Sequence, residues 1–164
     1  RASGLSMGPG AHGSPRPGPD LFPEDCLSVP VLPTCLALIL CDKVVHHRDT
    51  GHSDVLGAFW EIRLPSFPGH SGPFTVWVVL VNGAGRAPMR LKLELLPPDR
   101  LEEEPIVDIR FTMEFTDRRV VRIYLGRVEG LHLVSPGHYR VTLTAHDVTL
   151  VQADFIASET QFPS

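Results

Sequence analysis

The chain has 164 residues, 43% of them hydrophobic, and a formal net charge of −4 from 15 basic and 19 acidic side chains. That length and composition fit one domain able to bury a core without help from disulfides or metals. The mild charge excludes the electrostatic footprint of a nucleic-acid binder. No apolar run reaches the roughly 20 residues of a spanning helix, so a membrane is not an expected partner either.

Residues 1–20 hold five Gly, four Pro and three Ser, with Leu5 and Met7 as the larger apolar side chains. Such a segment buries too little to offset its ordering entropy, and we expect disorder there. The sequence opens on Arg1, so either a fragment or a start at Met7 is expected. Pro23, Pro30 and Pro33 space an extended lead-in, and 1–33 is read as leader, 34–157 as the folded domain and 158–164 as a tail.

From Thr34 the texture changes to apolar, β-branched and aromatic runs broken by Gly, Pro, Asp and Asn. Leu36–His46 predicts a first strand, and Asp49-Thr50-Gly51 a turn leading to a returning strand, Val55–Leu64. Phe74–Val81 carries almost no polar residue and predicts a central strand. Asn82-Gly83 predicts a hairpin into Met89–Leu96. In Ile106–Phe115, Val107, Ile109, Phe111, Met113 and Phe115 alternate with polar residues and should face inward. Val120–Val128 follows, then Ser135-Pro136-Gly137 as a turn, the alternating stretch Tyr139–Ala145, a turn at Asp147 and a closing strand, Val148–Ala157. No segment of 3.6-residue period escapes its flanking prolines. The expectation is an all-β fold, an immunoglobulin-like two-sheet antiparallel sandwich of seven to eight strands.

Three cysteines, Cys26, Cys35 and Cys41, form no Cys-x-x-Cys pair. A strand would hold Cys35 and Cys41 about 20 Å apart, too far to bond. Reduced thiols favour a cytoplasmic location. Several landmarks resemble an uncharacterised bacterial domain-of-unknown-function family: Leu40-Cys41-Asp42-Lys43-Val44, then Thr50-Gly51 with Leu56-Gly57-Ala58-Phe59, then Phe67-Pro68 before Phe74-Thr75-Val76-Trp77-Val78. Ser135-Pro136-Gly137-His138-Tyr139-Arg140-Val141, with Phe155 near the end, completes the set. The resemblance implies a bacterial, cytosolic immunoglobulin-like sandwich with no assigned activity and no catalytic residues to carry over.

Candidate chemistry is sparse. His46, His47 and His52 flank one predicted turn, with Asp49 and Asp54 near and His70 in the next loop. Adjacent strand residues point oppositely, so only one of His46 and His47 can join His52, and no ligand set at zinc spacing completes the group. A thiol nucleophile at Cys41 with His46 or His47 would sit beside a carboxylate that opposes the thiolate. Asp42, ending a buried strand, must find donors, and backbone N–H groups in a turn or bulge are expected to supply them. Glu102, Glu103 and Glu104 lack the order of a calcium loop and read as solvated, as do Arg118, Arg119 and Arg122 at a hairpin end. Gly83-Ala84-Gly85 lacks the helix and Lys of a phosphate loop. Trp60, Trp77, Phe59, Tyr124 and Tyr139 could form a sugar platform, but their strand positions favour core packing.

The expected function is therefore non-enzymatic and without cofactor: a sandwich acting through contacts with an unidentified protein partner, with Glu102, Glu103, Glu104, Arg118 and Arg119 as a possible interaction surface. The alternatives are a small-ligand or carbohydrate-binding module, which needs Trp60 or Trp77 turned outward, and a metal-dependent enzyme built on His46, His47 and His52.

Overall fold

The computed structural model describes residues 31–96 and 105–160. The expected disordered leader, the acidic run Glu102–Glu104 and the end of the tail lie outside those residues. Among the described residues there are eleven strands and no helix: β1 (Thr34–His46), β2 (Ser53–Ala58), β3 (Glu61–Leu64), β4 (Gly69–His70), β5 (Phe74–Val81), β6 (Gly85–Leu96), β7 (Val107–Phe115), β8 (Arg122–Val128), β9 (His132–Leu133), β10 (Gly137–Ala145) and β11 (Val148–Glu159). They form a four-stranded sheet in the order β2-β1-β5-β8, a five-stranded sheet in the order β3-β11-β10-β6-β7, and a two-stranded β4-β9 pair.

The period-two alternation places the core. In β5, Phe74, Val76, Val78 and Leu80 are buried and the residues between them are half-buried. Met89, Leu91 and Leu93 of β6 join them, with Tyr139, Val141 and Leu143 of β10 and Phe155 of β11, so both large sheets feed one hydrophobic cluster. The β10–β11 hairpin closes through His146 and Asp147, both at positive φ (47° and 62°). That is the backbone a two-residue hairpin of matching twist requires.

Four expectations are corrected. The strand count is eleven, not seven or eight, because β4 and β9 are two-residue strands inside loops and Val55–Leu64 is two strands. Its halves join different sheets: Phe59 donates its N–H to the Leu40 carbonyl of β1, while Trp60 accepts from the Ile156 N–H of β11 (both 2.9 Å). The chain thus changes sheets across two consecutive residues, Phe59 and Trp60. The pairing is not wholly antiparallel, since β3 runs parallel to β11. Asn82-Gly83 makes no hairpin: Asn82 takes a left-handed φ of 61°, but β5 and β6 belong to different sheets. The turn at 116–121, holding Arg118 and Arg119, likewise connects the five-stranded sheet to the four-stranded one and is not a hairpin end.

Candidate functional site

The sheet switch opens a mouth between the two large sheets. Cross-strand partners share a face of a sheet, and in β1 the residues Leu40, Asp42 and Val44 fall on one side. Leu40 is buried in the core, whereas two residues on Asp42 is exposed. It lies opposite Gly57, in the register that pairs Cys41 with Ala58 and Lys43 with Leu56. Gly57 has φ +64°, and a methyl group there would overlap the Asp42 carboxylate. Glycine serves two needs at this point: a left-handed backbone and room for a side chain on the neighbouring strand.

Around Asp42 a cleft of about 410 Å³ is lined by Gly57, Ala58, Phe59 and Phe74 from one sheet side and by Glu61 and Ile62 of β3 from the other, with Ser71, Gly72 and Pro73 behind. Phe59 and Phe74 meet edge to face, with ring centroids 5.4 Å apart and planes at 86°, an arrangement that aromatic quadrupoles favour. Buried Ser71 fixes the rear wall. Its hydroxyl accepts the Leu131 N–H (3.0 Å) and donates to the Gly72 carbonyl (2.9 Å).

The two carboxylates of the cleft differ. Glu61 Oε1 accepts from Ser158 Oγ (2.7 Å) and Oε2 from Arg63 Nη2 (2.9 Å). The Arg63 hydrogen bond, then that of Ser158, holds its carboxyl below the ordinary value. The Asp42 carboxylate has no hydrogen-bond donor among the described residues. The backbone N–H partners expected for it are absent there, because the strand carries it into the mouth instead of into a turn. Its neighbour Cys41 is fully buried, with its thiol directed at the Thr75 carbonyl (3.7 Å). Burial pushes that thiol up, and the Asp42 charge pushes it further, against any nucleophilic role. Burial also raises Cys35; both cysteines are free thiols.

The His-rich turn does not converge. His46 Nδ1 meets Ser53 Oγ (3.0 Å), His47 Nε2 meets Asp54 Oδ2 (2.8 Å), and the His52 backbone N–H donates to Thr50 Oγ1 (3.3 Å). Among the described residues no group of three or more His, Cys, Asp or Glu side chains is gathered for a metal ion. His70, singled out in the sequence, pairs across β4–β9 with His132, which was not, at a ring separation of 4.8 Å. Arg118 and Arg119 are exposed beside Asn82, whose N–H donates to the Arg118 carbonyl (3.2 Å).

The outer faces of the two large sheets are unlike. On the four-stranded sheet the outward rows read Ile39, Trp77, Leu125 and Ala37, Val79, Ile123. Leu125 is 51% exposed and Ile123 39%. On the five-stranded sheet the outward rows carry Arg140, Glu94, Lys92, Asp108 and Asp154. Two bidentate pairs lace them, Arg90–Asp108 and Arg140–Asp154, each with bonds of 2.7 and 2.8 Å. Of the two tryptophans expected in the core, Trp77 is half-buried on the apolar outer face, and Trp60, at the sheet switch, is 74% exposed.

These features define an all-β protein whose two main sheets share one core, with an inter-sheet mouth and one apolar outer face. The chain belongs to the family of unknown function DUF6941, whose family model matches residues 36–158. A comparison with curated proteins finds no match. Among the described residues, no helix is long and apolar enough to cross a membrane.

Proposed function

We propose that this protein is a non-enzymatic immunoglobulin-like sandwich of bacterial type that works in a reducing, cytoplasmic setting through contact with another protein. Two features support the immunoglobulin-like reading. With β5, β6, β8, β10 and β11 read as strands B, C, E, F and G, the orders β1-β5-β8 and β11-β10-β6 correspond to A-B-E and G-F-C of that fold. Near the start of β10, Tyr139 donates its hydroxyl to the Ser135 carbonyl (2.7 Å), as in the tyrosine corner that precedes strand F. The free thiols Cys35 and Cys41 support the reducing compartment.

The observation that carries the contact reading is the contrast between the outer faces. A solvated sheet face in this fold is built of charges and ion pairs, as the five-stranded sheet shows, whereas the four-stranded sheet turns Ile39, Trp77, Val79, Ile123 and Leu125 outward. Contiguous apolar surface of this kind, half-buried at Ile39, Trp77 and Val79 and exposed at Ile123 and Leu125, marks interaction sites. The partner that fits is a protein with a flat apolar face of its own. The test is capture from a bacterial lysate with the wild-type chain and with the doubly substituted Ile123→Lys/Leu125→Lys chain, both checked for β-sheet circular dichroism. A stoichiometric partner held by the first and lost by the second is the expected result. Identical retention profiles would refute it.

The small-ligand reading is favoured by a different observation, the exposure of Trp60 beside Glu61 at the edge of the five-stranded sheet. Quenching of Trp60 fluorescence by a panel of simple sugars, with Trp60→Ala as control, tests it, and an unquenched panel removes it.

A further inference from the structure

The Asp42 cleft is independent of the apolar outer face and has chemistry of its own. Its walls are the hydrocarbon of Phe59, Ile62, Pro73 and Phe74. Glu61 is engaged on both oxygens. Asp42 brings a carboxylate without a donor among the described residues, held against the bare backbone of Gly57. One free carboxylate does not satisfy a hard divalent ion, which takes six or more oxygens, and no metal-ligating group is gathered among the described residues. A carboxylate beside aromatic and aliphatic walls matches a ligand with one charged donor head and an apolar body.

We propose that this mouth binds a small organic cation, an alkylammonium or alkylguanidinium, with its charged head on Asp42 and its hydrocarbon on Phe59 and Ile62. Gly57 is the positioning residue, since any side chain there would drive the carboxylate away. The volume of about 410 Å³ lies within the range of small-molecule sites and far above the needs of a bare ammonium ion. The same head group on a partner's Lys side chain would satisfy the same contacts, and the test separates the two sources.

The test is an amide-resolved NMR titration of the full chain with n-butylammonium, n-butanol and Nα-acetyl-lysine methylamide. Saturable shifts at Gly57, Ala58 and Gly72 with butylammonium, and none with butanol, are the expected result. Asp42→Asn, close in shape to the wild type, should weaken butylammonium at least about tenfold, the loss of one charge-assisted contact. Butylammonium binding more tightly than the lysine derivative points to a free metabolite; the reverse order points to a protein side chain, and either supports the cation site. Equal shifts with butanol, shifts unchanged in Asp42→Asn, or no saturable shift at the cleft amides would overturn it. The comparison of butylammonium with butanol on the wild-type chain needs no variant, so it stands even if a substitution unfolds the protein. Loss of partner capture through Ile123 and Leu125 would leave the titration unchanged.

Discussion

Replacing Tyr139 with Phe removes one oxygen and leaves the rest of the core in place. Tyr139 has no exposed surface, and its ring stacks on Phe155 at 5.4 Å with the planes 16° apart, so the aromatic packing survives the substitution. What is lost is the 2.7 Å bond to the Ser135 carbonyl. A neutral hydrogen bond contributes about 0.5–1.5 kcal/mol net, and an orphaned acceptor costs about 1–3 kcal/mol when water cannot reach it. Ser135 is only half-buried, so water recovers part of that cost and the expected loss is about 1–2 kcal/mol. In urea, with a slope of roughly 2 kcal/mol per molar, the midpoint should fall by about 0.5–1 M at constant slope. Tyr124→Phe is the control. Tyr124 stacks on Phe111 at 4.0 Å, but its hydroxyl makes no hydrogen bond among the described residues, and its loss should stay below about 0.5 kcal/mol. Equal losses for the two variants would refute the reasoning, because deleting a phenolic oxygen would then matter and the bond to Ser135 would not.

Two further outcomes follow from the same structure. Gly57→Ala should destabilise by at least about 1–2 kcal/mol from its left-handed φ alone, and by more while Asp42 is present. In an Asp42→Ala background the Gly57→Ala loss should shrink, which a denaturation cycle over the four variants measures. Acid should weaken the fold through Asp108 and Asp154, both held below the usual carboxylate value, first by hydrogen bonds from Arg90 and Arg140 respectively. A depressed folded-state value stabilises above the unfolded Asp value of about 3.9, and that contribution fades as pH falls through and below it. Thermal unfolding between about pH 5 and 2 should therefore steepen less in an Asp108→Asn/Asp154→Asn chain than in the wild type.

Much of the fold was legible because strand burial has a period of two. Phe74–Val81 reads as central from its unbroken apolar run, and β5 is indeed flanked by β1 and β8. Val107 to Phe115 reads as one inward face, and Phe115 is buried, while the others are half-buried because β7 is a sheet edge. The sheet switch was not legible: Phe59 and Trp60 continue the apolar texture of their neighbours, and alternation says which face a residue takes, not which sheet its strand joins. Asn82-Gly83 misled for a related reason. Left-handed turn chemistry sets a local bend, and nothing local tells the next strand to pair back or to cross. Two-residue strands such as β4 and β9 carry no pattern at all.

The cleft was half legible. Asp42 stood out as a carboxylate at the end of an apolar strand, though with backbone N–H partners expected for it, while the glycine inside a strand at Gly57, which can signal close approach by another group, drew no such expectation. Glu61, Ser71 and Phe74 join them only in three dimensions. The His46, His47 and His52 group does not converge: the His46 ring meets Ser53, the His47 ring meets Asp54, and among the described residues no three ligating side chains come together.

The hand-over at the two consecutive residues Phe59 and Trp60 leaves no slack along the strands between the sheets. Sliding one layer past the other by a single strand step, about 3.3 Å, would tear the amide of Phe59 from Leu40 or the carbonyl of Trp60 from Ile156. The two layers are therefore held in a single register at this point, so that Asp42 and Gly57 on one sheet and Glu61 and Ile62 on the other keep their places across the mouth.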